Sequence, residues 1–181
     1  MSRTLVIYDS KYGHTKRYAQ WLAEELSADI CEIKTMSANR LQEYSTIIFG
    51  SSLYAGRNRA ALLLAKHFEQ IKDKRLALFT CGITDTGSES SIAARNRALD
   101  AVITPEIREK TGIFHVRGGI DYERLSFIHR MMMKFVYSIT SKKPENELTD
   151  EERDFLAIHR QKIDFSDKKM LKPVIRYCLE A

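Results

Sequence analysis

The sequence has few cysteines and no long apolar run. Its 181 residues include three cysteines, Cys31, Cys81 and Cys178, and no two of them form a C-x-x-C pair. This scarcity argues against a disulfide framework or a zinc site and fits a reducing, cytoplasmic environment. No apolar run approaches the roughly 18 residues that a membrane span needs. The chain opens with a strand pattern instead of a basic segment followed by a signal core, so we expect no export.

Common nucleotide-binding and nucleic-acid-binding motifs are missing as well. The chain contains neither a Walker loop ending in Gly-Lys-Ser/Thr nor the G-x-G-x-x-G dinucleotide fingerprint. It has no helix-turn-helix, zinc-finger or aromatic RNA-binding motif, so we expect no nucleic-acid partner. The formal net charge of +5 favours an anionic partner. An acidic protein, an anionic lipid surface and a carboxylate-bearing substrate all remain open.

The most informative stretch is the beginning of the chain, residues 4 to 15. An apolar run, Leu5 to Tyr8, predicts a buried parallel strand. Polar residues follow, and then a helix pattern opens. A strand, a hydroxyl-bearing loop and a helix in this order direct backbone N–H groups and the positive end of the helix dipole at one point. A phosphate monoester would fit there, with hydroxyl donors from Ser10 and Thr15 and close backbone approach at Gly13. The alternative is an ordinary turn capped by Ser or Thr.

The rest of the first 120 residues alternates between strand and helix patterns. This alternation is typical of a doubly wound α/β fold with a five-stranded parallel sheet, and the length suits one domain over residues 1–181. The further predicted strands are 29–34, 46–49, 75–80 and 112–117, and the predicted helices are 14–27, 59–71 and 88–108, the last ended or interrupted near Pro105. Three loops rich in Gly, Ser, Thr and Tyr follow strands and should meet at one edge of the sheet, namely 10–15, 50–56 and 80–87.

The spacing Ser-x-x-Gly-x-Thr after the first strand resembles the FMN-phosphate loop of flavodoxins. Ser10, Gly13 and Thr15 match that loop, and Tyr12 replaces its middle Thr. The resemblance implies a flavodoxin-like fold with FMN as the cofactor. The phosphate would bind at Ser10, Lys11, Tyr12, Gly13, His14 and Thr15. The flavin ring would lie between a second loop and a third loop, formed by Ser51, Ser52, Leu53, Tyr54, Ala55 and Gly56 and by Thr80, Cys81, Gly82 and Ile83.

Two residues of these loops have alternative interpretations. Tyr54 would pack on the flavin ring, or it would pack as a loop aromatic on the domain surface. We interpret Cys81 as a small apolar residue at a strand end and not as a redox thiol. No side chain is assigned as a catalytic acid or base, and no metal site is expected.

The chain then continues for about sixty residues beyond the fifth strand, with a helical insertion at about 121–165 before the last helix. Residues 122–139 form an amphipathic pattern with a wide, Met-rich apolar face and a basic polar face that includes His129, Arg130 and Lys134. This helix either packs on the core or serves as a lid, a substrate wall or an interfacial membrane contact. A capping box of Thr149 and Glu152 predicts a short helix, and a closing helix should cover 174–179.

The segment Gly-Gly-Ile-Asp-Tyr at 118–122, followed by the basic, Met-rich helix, resembles the menaquinone-dependent protoporphyrinogen dehydrogenases. The resemblance implies an FMN-dependent oxidoreductase that oxidises protoporphyrinogen and passes electrons to a membrane quinone. Its redox partner would be a small molecule or a protein, anionic in either case, and residues 122–140 would contact the inner face of the membrane. An electron carrier without its own substrate and a cofactor-free regulatory or scaffolding domain are the competing hypotheses.

Overall fold

The computed structural model describes residues 3–52 and 58–180. Its centre is a five-stranded parallel sheet in the order β2-β1-β3-β4-β5. The strands are β1 (Thr4–Asp9), β2 (Asp29–Glu32), β3 (Thr46–Ser52), β4 (Arg75–Gly82) and β5 (Thr111–Arg117). This order is that of the flavodoxin-like doubly wound fold, with the reversal of strand order between β1 and β3. The predicted fold class is therefore confirmed.

Helices cover both faces of the sheet. The helices are α1 (His14–Leu26), α2 (Arg59–Ile71), α3 (Glu89–Asp100), α4 (Pro105–Glu109), α5 (Phe127–Thr140), α6 (Asp150–Ile158) and α7 (Lys172–Leu179). Successive strand residues point to opposite faces. Leu5 and Ile7 of β1 accordingly pack with α2 and α3, whereas Val6 packs with α1 and with Val174 of α7. Burial on both faces explains why the strands are continuous apolar runs in the sequence.

The structure corrects several predicted boundaries. The interruption predicted near Pro105 is confirmed, with the break beginning a few residues earlier: α3 ends at Asp100, and the Thr104 hydroxyl caps a new helix with Pro105 in its first turn. Strand β2 ends at Glu32, two residues early, and a 3₁₀ turn follows. The capping box of Thr149 and Glu152 is confirmed at the start of α6.

A small antiparallel pair of strands was missed. Strands β6 (Gly119–Asp121) and β7 (Lys162–Asp164) pair across the insertion and frame α5 and α6. Each has three residues, too few to show an alternating pattern in the sequence. This pair brings the end of the insertion back against the start of α1.

Helix α5 packs on the protein by its polar side, whereas its hydrophobic pattern predicts packing by its apolar side. It begins at Phe127, where Ser126 caps it, and not at residue 122. Its apolar side faces outward, with Phe127 77% exposed, Ile128 75% and Phe135 67%. This exposure rules out the alternative in which the apolar face packs on the core.

Candidate functional site

The loop between β1 and α1 leaves the first turn of α1 open. Gly13 occupies the N-cap position in the left-handed region, with φ of 98°. Its N–H donates to the Ser10 hydroxyl at 3.1 Å, which fixes the turn. Within the described residues no side chain caps α1, whereas α2, α3 and α4 are each capped by a side-chain oxygen. The Ser10 hydroxyl thus closes the turn that precedes α1, while the N–H groups of the first turn of α1 are suited to an anion.

The loop borders a cavity of about 210 Å³ at the carboxyl edge of the sheet. Members of all three predicted loops line it, namely Ser10, Lys11, Tyr12, His14, Thr15, Ser52, Cys81, Gly82 and Ile83. Gly13 forms the turn beside them. The predicted residues Leu53, Tyr54, Ala55 and Gly56 lie outside the described residues. The structure thus brings the described parts of the three loops together at one place.

Two predicted residues, Ser51 and Thr80, support the cavity without being among the described residues that line it. The Ser51 hydroxyl donates to the Asn58 side-chain oxygen at 2.7 Å and accepts the N–H of Ala60 at 3.2 Å. The Thr80 hydroxyl lies 2.6 Å from Nδ1 of His115, and the two residues lie opposite each other on the paired strands β4 and β5. These contacts fix the carboxyl ends of β3 and β4, from which the second and third loops depart.

The thiol of Cys81 lies in a closed environment. Burial raises its pKa to about 12, so the thiol stays protonated at neutral pH. A Cβ atom at Gly118 would lie 2.7 Å from the Cys81 sulfur, which shows how closely the neighbouring strand end packs. This environment agrees with the interpretation of Cys81 as an apolar residue.

The insertion supplies a wall of the cavity that sequence reasoning did not assign. The additional lining residues are Gly118, Gly119, Ile120, Asp121, Leu125, His129, Met132 and Met133. Nδ1 of His129 lies 2.5 Å from the Tyr12 hydroxyl, and the same hydroxyl accepts the N–H of Ser126 at 3.3 Å. Helix α5 is therefore joined directly to the first loop.

A second junction lies at the start of α1. Nδ1 of His14 is 3.2 Å from the Ser166 hydroxyl and 3.5 Å from an oxygen of Asp164, which also pairs with Arg17 at 2.6 Å. A Cβ at Gly119 would lie 2.2 Å from the carbonyl oxygen of Ile163 and 2.7 Å from Cε1 of His14. This close approach explains why the segment 118–119 is Gly-Gly and offers the signal that could have identified the junction.

Positive groups and desolvated imidazoles surround the first loop. Burial lowers the pKa of His14, while Asp164 opposes that change. Burial also lowers the pKa of His129, and Lys11, whose Nζ lies 3.4 Å from Nε2, lowers it further. Although burial alone would raise the pKa of Asp164, hydrogen bonds from Arg17 and Ser166 bring it to about 2. Both imidazoles therefore release a proton more readily than a free histidine.

The glycine-initiated helix α1 begins at the switch point of the 2-1-3-4-5 sheet, which is the place where ligands bind in sheets of this kind. The family model "Flavodoxin domain" matches residues 5–147. The chain belongs to this flavodoxin family. Membership confirms the predicted resemblance and FMN as the cofactor.

Curated relatives extend the similarity beyond that domain. The chain is 22% identical to protoporphyrinogen IX dehydrogenase [quinone] from Leishmania major over 184 residues, which cover 94% of this chain and 78% of that protein. It is 20% identical to the protein of the same name from Escherichia coli (strain K12) over 94% of this chain and 99% of that one. Among solved structures, the oxidised flavodoxin 2 of Bacillus cereus is similar, at 17% identity and a TM-score of 0.41 over 87% of this chain and 94% of that one.

Residues 3–52 and 58–180 contain neither a bilayer-spanning helix nor a cluster of metal-ligating side chains. None of the helices there is both long and apolar enough to traverse a bilayer. The same residues hold no group of three or more His, Cys, Asp or Glu side chains that could ligate a metal ion.

Proposed function

We propose that this protein is an FMN-dependent oxidoreductase of the protoporphyrinogen dehydrogenase type, with a quinone as electron acceptor. The observation that carries the proposal is the extent of the similarity. The alignment with the Escherichia coli enzyme covers 94% of this chain and 99% of that one, so it includes the insertion. The insertion included in this alignment builds a wall of the cavity.

The first loop is proposed to hold the FMN phosphate. The open first turn of α1 supplies N–H groups and the positive end of the helix dipole. Gly13 in the left-handed region directs the backbone inward, and Ser10 and Thr15 bring hydroxyls to the cavity. Lys11 adds positive charge beside the same turn, and the His129 imidazole next to it offers a ring nitrogen for hydrogen bonding. Together these groups suit a dianionic phosphate monoester.

The flavin ring is proposed to lie against Ser52 and the segment Cys81 to Ile83, where backbone N–H groups face its pyrimidine edge. When bound, FMN supplies the redox chemistry, accepting two electrons from one substrate and donating them to another. The chain binds and orients it. Leu125, Met132 and Met133 of the insertion would cover this region and limit access of water.

The outward face of α5 is proposed to contact an anionic membrane surface, where a quinone would be available. Phe127, Ile128, Met131, Phe135 and Ile139 are each at least 50% exposed on this one helix. Arg130 and Lys134 are also exposed on it. An apolar face with adjacent cations is the pattern of an interfacial helix, and each large side chain buried in the acyl region would contribute about 1.5–3 kcal/mol.

Turnover with purified components tests the reaction. FMN-loaded protein is mixed with protoporphyrinogen and a soluble menaquinone analogue without air, and porphyrin fluorescence is followed. We expect porphyrin to form in proportion to quinone and without any added protein. FMN binding without turnover would favour the electron carrier, and protein that remains colourless after FMN is added would favour the cofactor-free domain.

Flotation with lipid vesicles tests the membrane contact. We expect the protein to float with vesicles that contain anionic lipid, and Ile128→Ser combined with Phe135→Ser to abolish this without changing FMN affinity. Leu179→Ser is the matched control, because Leu179 is 68% exposed on α7. Equal flotation of the double variant and the wild-type protein would remove α5 from the contact.

A further inference from the structure

A second cavity, of about 370 Å³, lies between α3 and α6. Its walls are largely apolar, with Ala94 and Ala98 from α3 and Phe155 and Ile158 from α6. It shares Gly82 and Ile83 with the candidate flavin cavity. A ligand that reaches into this second cavity would therefore lie next to the segment proposed to meet the flavin ring.

One cation of this cavity, Arg117, is held in place by contacts with uncharged groups. Its Nε donates to the carbonyl oxygen of Ile83 at 2.9 Å, and its guanidinium carbon lies 3.7 Å from the centre of the Phe165 ring. These two contacts fix the plane of the guanidinium. Over residues 3–52 and 58–180, Arg117 forms no ion pair with a carboxylate.

The other charged residues in the described lining of the cavity are Arg95 and Asp154, and they affect its preference for an anionic ligand. Arg95 is 5% exposed and donates to the carbonyl oxygens of Val116 and Thr84 and to the Thr84 hydroxyl. It adds a second guanidinium group to the lining of the cavity. Asp154 is the carboxylate among the described lining residues. The described lining of the cavity therefore carries two guanidinium groups and one carboxylate among apolar walls.

We propose that this cavity receives a carboxylate-bearing side arm of the substrate and that Arg117 pairs with the carboxylate. The inference rests on the proposed function, whose tetrapyrrole substrate carries propionate arms. A guanidinium fixed in one plane offers its two Nη groups for bidentate pairing with a carboxylate. The apolar walls suit the methylene groups of the arm and the edge of the ring. Arg117 is then a specificity residue that places the reacting ring beside Gly82 and Ile83.

Binding of a tetrapyrrole diacid and of its ester tests the proposal. FMN-loaded protein is titrated with protoporphyrin IX and with its dimethyl ester, and tryptophan quenching and porphyrin fluorescence report binding without any turnover. We expect Arg117→Met to weaken binding of the diacid about tenfold or more and to leave the ester unchanged. Arg117→Lys should lose part of the affinity. Arg176→Met is the matched control, because the Arg176 side chain is 77% exposed on α7.

A second variant, which is expected to strengthen binding of the diacid, tests the proposal even if Arg117→Met does not fold. Asp154→Asn removes the opposing carboxylate and should tighten binding of the diacid several-fold, with no effect on the ester. Equal affinities of wild type and all variants for the diacid would overturn the inference and leave the proposed function standing. Failure of the wild-type protein to bind either compound would overturn both. A loss confined to quinone binding in Arg117→Met would assign the cavity to the acceptor and also overturn the inference.

Discussion

Replacement of Gly13 by Ala tests how the backbone conformation of the first loop contributes to FMN affinity. A Cβ at Gly13 would have no heavy atom within 4 Å, so the substitution adds no clash. Its effect comes from φ of 98° alone, a conformation that L residues rarely adopt. The left-handed conformation of an L residue costs roughly 1–2 kcal/mol.

The energetic cost of this strain lowers the free energy of unfolding of the FMN-free protein, the FMN affinity, or both in part. If the loop keeps its conformation without FMN, the free energy of unfolding of the FMN-free protein falls by about 1–2 kcal/mol and the affinity stays unchanged. If the strained loop relaxes without FMN, stability is retained and FMN affinity falls by about 5- to 30-fold. In either case the two losses should add to about 1–2 kcal/mol.

Urea unfolding of the FMN-free protein and FMN fluorescence quenching measure the two terms. Gly13→Asn should recover much of the loss, because Asn tolerates the left-handed region. Gly87→Ala is the matched control, since a Cβ there would make only ordinary contact, at 3.5 Å from Asp85. The reasoning is refuted if Gly13→Ala changes neither quantity, or if the summed loss of stability and affinity is as large for Gly13→Asn as for Gly13→Ala.

Three further predictions concern His115, Gly119 and Cys81, which pack in or beside the candidate site. Burial lowers the pKa of His115 to about 4, so the folded state resists protonation of this imidazole. The free energy of unfolding should therefore fall by up to about 3 kcal/mol as the pH drops from about 6.5 to 4. Urea midpoints measured over this range should fall less steeply for His115→Gln. Gly119→Ala should lower the free energy of unfolding by about 1–3 kcal/mol, because its Cβ would lie 2.2 Å from the Ile163 carbonyl oxygen, and an unchanged urea midpoint would contradict this packing. Burial that raises the pKa of Cys81 to about 12 should leave it unmodified by iodoacetamide at pH 8 in folded protein, as mass spectrometry of the peptides would show.

The central sheet was predictable because its information is local. Apolar runs such as Thr46 to Phe49 need burial on both faces, and only a parallel sheet covered by helices provides it. The first loop was predictable for the same reason, since Ser10, Gly13 and Thr15 lie within six residues of the chain. The junctions with the insertion were not, because Tyr12 and His129 are 117 positions apart and His14 and Ser166 are 152 apart. No local pattern encodes such pairs.

The orientation of α5 shows where periodicity fails as a guide. Hydrophobic patterning assigns the Met-rich side to the protein and the His and Tyr side to water. In the structure His129 contacts Tyr12, Tyr137 stacks on His159 with 3.8 Å between ring centres, and Thr140 is buried, so the helix docks by its polar side. Specific polar contacts fix that side, while Phe127 and Ile128 stay outside. A helix with this arrangement needs an apolar environment beyond its own chain, and the proposed lipid surface supplies one beside the cavity.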